Sequence, residues 1–399
     1  MENKKLVPKL RFDFENSNFK KYKLGDLVEN VVAGATPKTS VKEYWDGGDI
    51  PWLSSGEVHK KFVYSTDKFI TSEGYNNAST KLVPKNSVLI ALAGQGKTRG
   101  TVAINKIELC TNQSIASIIP NNNLYYKFLF YYLESKYDYL RALSSSDGGR
   151  GGLNLNLIRS IPIKIPLIDE QKLISNFINS IDKKISILER KYKSYEDFKK
   201  YLMQQIFAQE LRFSGFDDEW KPYKIGDISK TYSGGTPSTS KREYYEGDIP
   251  FIRSGEINNY VTEQYINEDA IKNSSAKWVQ KGDLLLALYG ATSGEVAISK
   301  IDGAINQAVL KIDNDMDNYF QYNYFLKYKE QIIHKYLQGG QGNLSANIIK
   351  KLEFKYPSLD EQKKISQFLM SIDNKIELLE KKHQYYQDFK KGLIQQMFI

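Results

Sequence analysis

The spacing of hydrophobic side chains changes along the chain, and the changes divide it into regions. Over residues 169–207, apolar or aromatic side chains fall at Ile178, Ile181, Ile185, Leu188, Tyr192 and Tyr195, then Phe198, Leu202 and Ile206. Steps of mostly three and four are the seam of a helix that lies against another helix. Residues 360–398 repeat the seam at Leu369, Ile372, Ile376, Leu379, His383, Tyr386, Phe389 and Leu393, with His383 a packing residue where the first stretch has Tyr192. Pro166 and Pro357 end the preceding segments, Asp169 and Asp360 are the predicted N-caps, and Glu170 and Glu361 suit the first-turn dipole. Ser358 with Glu361 offers a capping box. At 1.5 Å per residue each helix would extend roughly 55 to 60 Å. Gly392 stands where the first copy has Tyr201, costs about 1 kcal/mol of helix propensity, and predicts fraying near the C-terminus. Elsewhere, short apolar runs at 87–92, 101–104, 161–165 and 283–288 predict strands bounded by Gly and Asn loops, and 124–143 and 319–337 predict aromatic amphipathic helices.

The chain also repeats itself. Leu10-Arg11-Phe12 returns as Leu211-Arg212-Phe213, Tyr22-Lys23-Leu24-Gly25-Asp26 as Tyr223-Lys224-Ile225-Gly226-Asp227, and Gly34-Ala35-Thr36-Pro37 as Gly234-Gly235-Thr236-Pro237. Asp49-Ile50-Pro51-Trp52 matches Asp248-Ile249-Pro250-Phe251, and Ser55-Gly56-Glu57 matches Ser254-Gly255-Glu256. The two helical stretches align without a gap, with 24 of 39 positions identical, whereas the regions before them share only scattered anchors. One part of the unit is held fixed while the other diverges, as a common mounting device would be if it carried two different readers. A lone helix cannot leave its seam in water, and the short linker 208–221 sends the chain straight from the end of the first helix into the second globular region. The two helices should therefore pair antiparallel. The expected fold is α+β: two mixed α/β globular regions (1–165 and 209–356) separated by a long antiparallel two-helix coiled coil (166–208 and 357–399), with a pseudo-two-fold internal repeat.

Composition narrows the classes. The chain has 399 residues, enough for more than one core, and 56 Lys plus Arg against 47 Asp plus Glu leave a net charge of +9. That balance fits a nucleic-acid partner, although genome base composition could equally produce a chain so rich in Lys, Asn, Ile and Tyr. One cysteine, Cys110, excludes an internal disulfide framework, and three scattered histidines argue against a His/Cys metal cluster. The charged N-terminus has no apolar h-region and the longest apolar run falls far short of the ~20 residues of a membrane span, so a cytoplasmic location is expected.

Three places carry candidate chemistry. Residues 91–98 end like a phosphate-binding P-loop, but Ala91 replaces the first glycine, a strand rather than a helix follows, and the other copy has Gly290-Ala291-Thr292-Ser293-Gly294-Glu295. What the copies share is a glycine loop between strands, which makes Lys97, Arg99 and Thr292 candidates to meet a phosphate or a base edge. The stretches 34–56 and 234–255 place Lys38, Lys42 and Trp45, or Lys241, Arg242 and Tyr245, beside a Thr-Pro turn. Trp52 and Phe251 read as core there, and Arg253, where the first copy has Ser54, is a candidate to read guanine. The glycine-rich segments 148–154 and 339–345 offer Arg150 and Gln341 at their tips. No catalytic set is common to both copies: no amino-methylation loop, no cofactor loop in a strand-to-helix context, no nuclease dipeptide, no nucleophile triad.

The tandem arrangement, the leading Leu-Arg-Phe, the Gly-x-Thr-Pro and Asp-Ile-Pro-aromatic segments, and Pro-x-x-Asp-Glu-Gln-Lys before each long helix together resemble the specificity subunit of type I restriction-modification systems over essentially the whole chain. The resemblance implies two target recognition domains, each reading one half of a bipartite, asymmetric DNA site, with the helices as spacer. It implies two modification subunits that bind S-adenosylmethionine and methylate adenine, and restriction subunits that use ATP and Mg. The chain itself would then hold no cofactor and catalyse nothing. A stand-alone DNA-binding regulator, or an enzyme with an unrecognised site, are the alternatives.

Overall fold

The Leu-Arg-Phe segment that opens each repeat is tied to the start of a long helix. In a computed structural model of the chain, which describes residues 8–12, 18–94, 97–143, 152–337 and 343–398, the Arg11 guanidinium donates two parallel hydrogen bonds of 2.7 Å to the carboxylate of Glu170. Arg212 does the same to Glu361, at 3.0 and 2.7 Å. Both glutamates are buried, so each charge depends on its arginine for compensation. The next residue of the motif is also clamped: Gln171 accepts from the Tyr125 amide and donates to the carbonyls of Asn123 and Pro166, and Gln362 accepts from the Asp317 amide and donates to Pro357. The Asp-Glu-Gln motif therefore docks each long helix on its globular neighbour. Arg212→Lys keeps the charge but loses the two-pronged geometry; it is expected to lower stability by about 1 kcal/mol, read as a shift in the urea midpoint.

The two long helices are Ile168–Phe207 and Leu359–Met397. Asp169 and Asp360 lie inside the first turn rather than capping it. Ser358 accepts from the Glu361 amide at 3.4 Å, but Glu361 is turned to Arg212, so only half of the expected capping box forms. Gly392 does not fray its helix: Leu393, Ile394, Met397 and Phe398 beyond it are buried, and that burial outweighs the glycine cost.

The chain divides into two compact units, one taking in the chain up to Leu188 together with Lys382–Ile399, the other Glu189–Lys381. The division runs through both helices rather than at their ends, because each helix half packs into a different core. In the first unit Ile174 and Ile178 of the first helix share a core with Ile394, Met397 and Phe398 of the second. In the second unit Leu202, Met203, Ile206 and Phe207 share one with Ile365, Leu369 and Ile372. Early residues of one helix thus meet late residues of the other, and the pair runs antiparallel. Of the expected seam, Ile178, Ile181, Leu188, Leu369, Ile372 and Leu379 are buried, and Ile185, Tyr192, Ile376 and His383 are half-buried.

Phe198 and Phe389 depart from that expectation and are exposed; the seam passes instead through their neighbours Lys199 and Lys390. Lys199 is ion-paired with Asp373 at 2.7 Å, and Tyr319 donates to the same carboxylate. Lys390 is ion-paired at 2.8 Å with both Asp182 and Glu134, and Tyr131 donates to Asp182. Strict alternation of three and four from Tyr195 lands on 199, and a paired lysine occupies a seam position that apolar counting assigns to phenylalanine.

Within the first unit, a five-stranded sheet runs in the order Val28–Ala33, Ile115–Pro120, Val88–Ala91, Val102–Asn105, Phe62–Val63, antiparallel except for its last pair. Three further strands, Lys68–Ile70, Ile50–Leu53 and Cys110–Thr111, form a second sheet. The second unit repeats the plan with two four-stranded sheets: Ser229–Ser233, Val309–Asn314, Leu284–Ala287, Val296–Ile298, and Tyr265–Ile266, Ile249–Ile252, Gly303–Ile305, Lys277–Val279. In each unit a two-stranded antiparallel ribbon, Lys20–Lys23 with Pro162–Ile165 or Lys221–Lys224 with Glu353–Tyr356, closes the domain just before the long helix. The helix expected over 319–337 forms as Asn318–Leu337. Its counterpart breaks at Lys136 into Tyr126–Ser135 and Tyr137–Leu143, and beyond the break Tyr137 donates to the Lys97 carbonyl while Leu140 is buried. Among the described residues, no helix is long and apolar enough to cross a membrane.

Candidate nucleic-acid interface

The Gly-x-Thr-Pro turn sits in the same way in both units. A Cβ added to Gly34 would come within 1.8 Å of the Thr111 carbonyl oxygen, and one added to Gly234 within 1.7 Å of that of Ile305, so each turn lies directly on the chain leaving a strand of the second sheet. Ring N–H and hydroxyl groups hold the turn from the other side. Trp52 donates to the Ala35 carbonyl at 3.0 Å and Trp45 to that of Lys38 at 3.4 Å, the two rings meeting edge to face at 5.1 Å. In the second unit the Tyr245 hydroxyl donates to the Pro237 carbonyl at 2.7 Å, and Phe251 is buried beneath. Trp45 and Tyr245, candidates for DNA contact by sequence, are half-buried here and staple the turn.

The basic candidates beside the turn are exposed: Lys38 and Lys42 in the first unit, Lys241 and Arg242 in the second. Lys241 donates to the Tyr244 hydroxyl, which raises its pKa, and lies 4.9 Å from that ring. A cavity of about 320 Å³ brings together Thr236, Arg242, Tyr245, Arg253 and Asn306. Arg253 does not present a free guanidinium there. Its Nε donates to Glu256 at 2.9 Å and its Nη2 to Glu263, and these two hydrogen bonds raise its pKa. Carboxylates thus engage the Nε–Nη2 edge of this guanine-reading candidate.

The glutamate of the repeated Ser-Gly-Glu explains that pairing. Glu57 accepts from the Ser54 amide and hydroxyl at 3.1 Å, from Lys60 at 2.9 Å and from the Asp67 amide at 3.0 Å. Glu256 accepts likewise from the amides of Arg253 and Glu263. Burial pushes both carboxyls up, but these donors outweigh it and hold them below the usual carboxylate range. The motif closes a loop and is no candidate acid.

The glycine loop following Val88–Ala91 returns directly into the antiparallel strand Val102–Asn105, the opposite of a P-loop's helix. Lys97 is exposed on it and Arg99 half-buried. Thr292 is half-buried in the corresponding turn, where its carbonyl accepts from the Glu295 amide. Arg150 and Gln341 lie outside the described residues.

The sequence reading missed one pair of polar side chains. Gln113 and Gln307 are exposed beside the turn, and each accepts a 2.7 Å hydrogen bond from the threonine hydroxyl of Gly-x-Thr-Pro, Thr36 or Thr236. The preceding asparagines, Asn112 and Asn306, form identical turns by accepting from the amides of Ser114 and Ala308. The dipeptide Asn-Gln recurs in both copies and could have signalled the pair.

The fold and motifs can be set beside known proteins. The model of the type I restriction modification DNA specificity domain matches the chain twice, over residues 16–196 and 217–385. The type I restriction enzyme MjaVIII specificity subunit of Methanocaldococcus jannaschii is 22% identical over 403 residues, covering 93% of this chain and 90% of its own. The EcoR124I/EcoR124II specificity subunit of Escherichia coli is 28% identical over 177 residues, 41% of this chain. The MjaIX specificity subunit of M. jannaschii is 33% identical over 192 residues, 45% of this chain. In these last two matches the chain spans 44% of the relative's length. A crystal structure of a type I restriction-modification system S subunit from M. genitalium superposes with a TM-score of 0.68 at 15% identity, covering 98% of this chain and 99% of the other, which shows a shared fold. With two family matches that take in most of its length and fall one on each repeat, the chain belongs to the family of type I restriction-modification DNA specificity subunits.

Proposed function

We propose that the chain is the non-catalytic specificity subunit of a type I restriction-modification complex, and that each unit reads one half of a bipartite, asymmetric DNA site. The target recognition domains would be 1–165 and 209–356, with 166–208 and 357–399 as spacer helices. On this reading two modification subunits supply S-adenosylmethionine and methylate adenine, restriction subunits supply ATP and Mg chemistry, and the complex works in the cytoplasm.

One observation carries the reading. The two units build the same stapled turn, yet the exposed side chains around it differ: Lys38 and Lys42 in one, Lys241 and Arg242 in the other. A common mount with unlike exteriors suits two different half-sites. Spacer helices of set length suit reading heads that must enter grooves a matched distance apart, on a duplex whose turn is ~34 Å.

Mapping methylated adenines in host cells with and without the gene tests this. The expected result is one bipartite motif present only with the gene. Methylation by the isolated chain would point to an enzyme, and tight site-specific binding with no change in methylation would point to a regulator. A second expectation concerns affinity. Replacing Lys241 and Arg242 together by alanine should weaken duplex binding roughly tenfold at low salt and reduce the slope of log K against log salt by about 0.9 per lost phosphate contact.

A further inference from the structure

From the matched Thr–Gln pairs we infer that Gln113 and Gln307 are phosphate anchors, one in each unit, that grip the DNA backbone without reading sequence. The inference rests on the proposed DNA-reading role and adds a contact to it.

Three observations support the assignment. First, the amide is oriented. The hydroxyl of Thr36 or Thr236 donates to Oε1 of Gln113 or Gln307 at 2.7 Å, which holds the oxygen end of the amide to the turn and leaves the NH2 group as the end offered to a ligand. A group presenting donors matches phosphate oxygens, which only accept. Reading an adenine edge takes both ends of the amide aligned on the base, and here the oxygen end is held to the turn by the threonine.

Second, the pair is prebuilt. The glycine pressed on the Thr111 or Ile305 carbonyl, the Asn112 or Asn306 turn and the ring staples fix both partners before any ligand arrives, so little side-chain entropy remains to be lost on binding. Third, the device is the same in both units while its surroundings differ. A contact that both readers share cannot tell one half-site from another, and what every half-site offers is backbone. In the second unit Thr236 and Asn306 line the cavity that also holds Arg242, so a cation stands beside the anchor.

The test uses the full-length protein and two duplexes, one carrying the site methylated in cells and one with that site scrambled. Gln113→Ala and Gln307→Ala should each lower affinity about 3- to 10-fold, by the same factor on both duplexes, and leave the methylated motif unchanged. Gln113→Glu keeps an oxygen for Thr36 but sets a negative charge against phosphate. It should lose more than the alanine variant, with a deficit that shrinks as salt is raised. Thr36→Val, which frees the amide, should reproduce part of the Gln113→Ala loss.

Unchanged affinity in Gln113→Ala and Gln113→Glu overturns the assignment. So does a loss confined to the matched duplex together with a relaxed base in one half of the motif, which would make the glutamines base readers. Should Gln113→Ala lower the melting temperature, the isosteric Gln113→Glu decides. If mapping finds no site at all, the proposed function fails, and the scrambled duplex still measures the phosphate contact by itself.

Discussion

Gly234→Ala is expected to cost roughly 3 kcal/mol or more of stability and to abolish DNA binding by the second unit. The added methyl would sit 1.7 Å from the Ile305 carbonyl oxygen and 2.5 Å from its carbon. Those atoms are backbone, at the end of a strand paired on both sides with Ile249–Ile252 and Lys277–Val279, so no side-chain rotation relieves the clash. Either the turn lifts off the strand or the strand end moves, and both separate Thr236 from Gln307. Gly34→Ala should do the same in the first unit, where the contact is with Thr111. Gly255→Ala is the control: an added Cβ there meets nothing within 4 Å, and its effect should stay within about 0.5 kcal/mol. Urea midpoints compare the three variants. An intact Gly234→Ala protein with wild-type binding would contradict the stacked turn.

Lys390→Ala is expected to cost about 3 kcal/mol at neutral pH. Removing the ammonium leaves Asp182 and Glu134 facing each other across the space it filled, with Lys61 the remaining partner of Glu134. The figure is the low end for a broken buried pair because Glu134 keeps about a quarter of its side chain, 24%, in solvent. Lys390→Met restores the packing volume without the charge; it should recover little if charge dominates and most of the loss if packing does. The pH dependence follows from Glu134. Burial pushes its carboxyl up, but Lys390 and Lys61 outweigh burial and hold it below the usual carboxylate range. A carboxylate whose folded-state pKa is depressed stabilises the fold above its ordinary pKa, and that contribution is lost as pH falls through the folded value. The gap between wild type and Lys390→Ala should therefore be full at pH 7 and narrow below about pH 4, as protonation removes the charge that the lysine compensated. A gap independent of pH would assign the role of Lys390 to its aliphatic stem.

Much of the architecture was legible because repetition and periodicity are properties of the chain itself. The antiparallel helices follow from a shared seam and a short linker, and the strands near 88–91 and 284–287 from apolar runs between glycines. Counting apolar residues puts Phe198 and Phe389 in the seam, whereas the fold exposes both and places Lys199 and Lys390 there, each held by an acid. A lysine is polar by type, and it becomes a core residue only when a distant carboxylate arrives.

The candidate interface shows the same limit. Lys38, Lys42, Lys241 and Arg242 were identifiable as exposed cations beside a turn, since charge and turn chemistry are local. Trp45 and Tyr245 are contact candidates because aromatic and basic side chains occur together there, yet their N–H and O–H donors are given to backbone carbonyls seven or eight residues away. Arg253 is a candidate guanine reader by residue type, and only the fold shows that Glu256 and Glu263 take its Nε–Nη2 edge.

By itself the sequence determined the tandem repeat, the helical pairing, the family and the division into a fixed mount and divergent readers, all of which rest on spacing and identity along the chain. Tertiary structure alone decided which polar groups are free to meet a ligand. Thr36 and Gln113 are 77 residues apart, and Thr236 and Gln307 are 71 apart, yet each pair is joined by a single hydrogen bond. A polar side chain's role depends on whether folding brings it a partner; the recurring Asn-Gln marks the position in each copy, but nothing along the chain says which residue it meets.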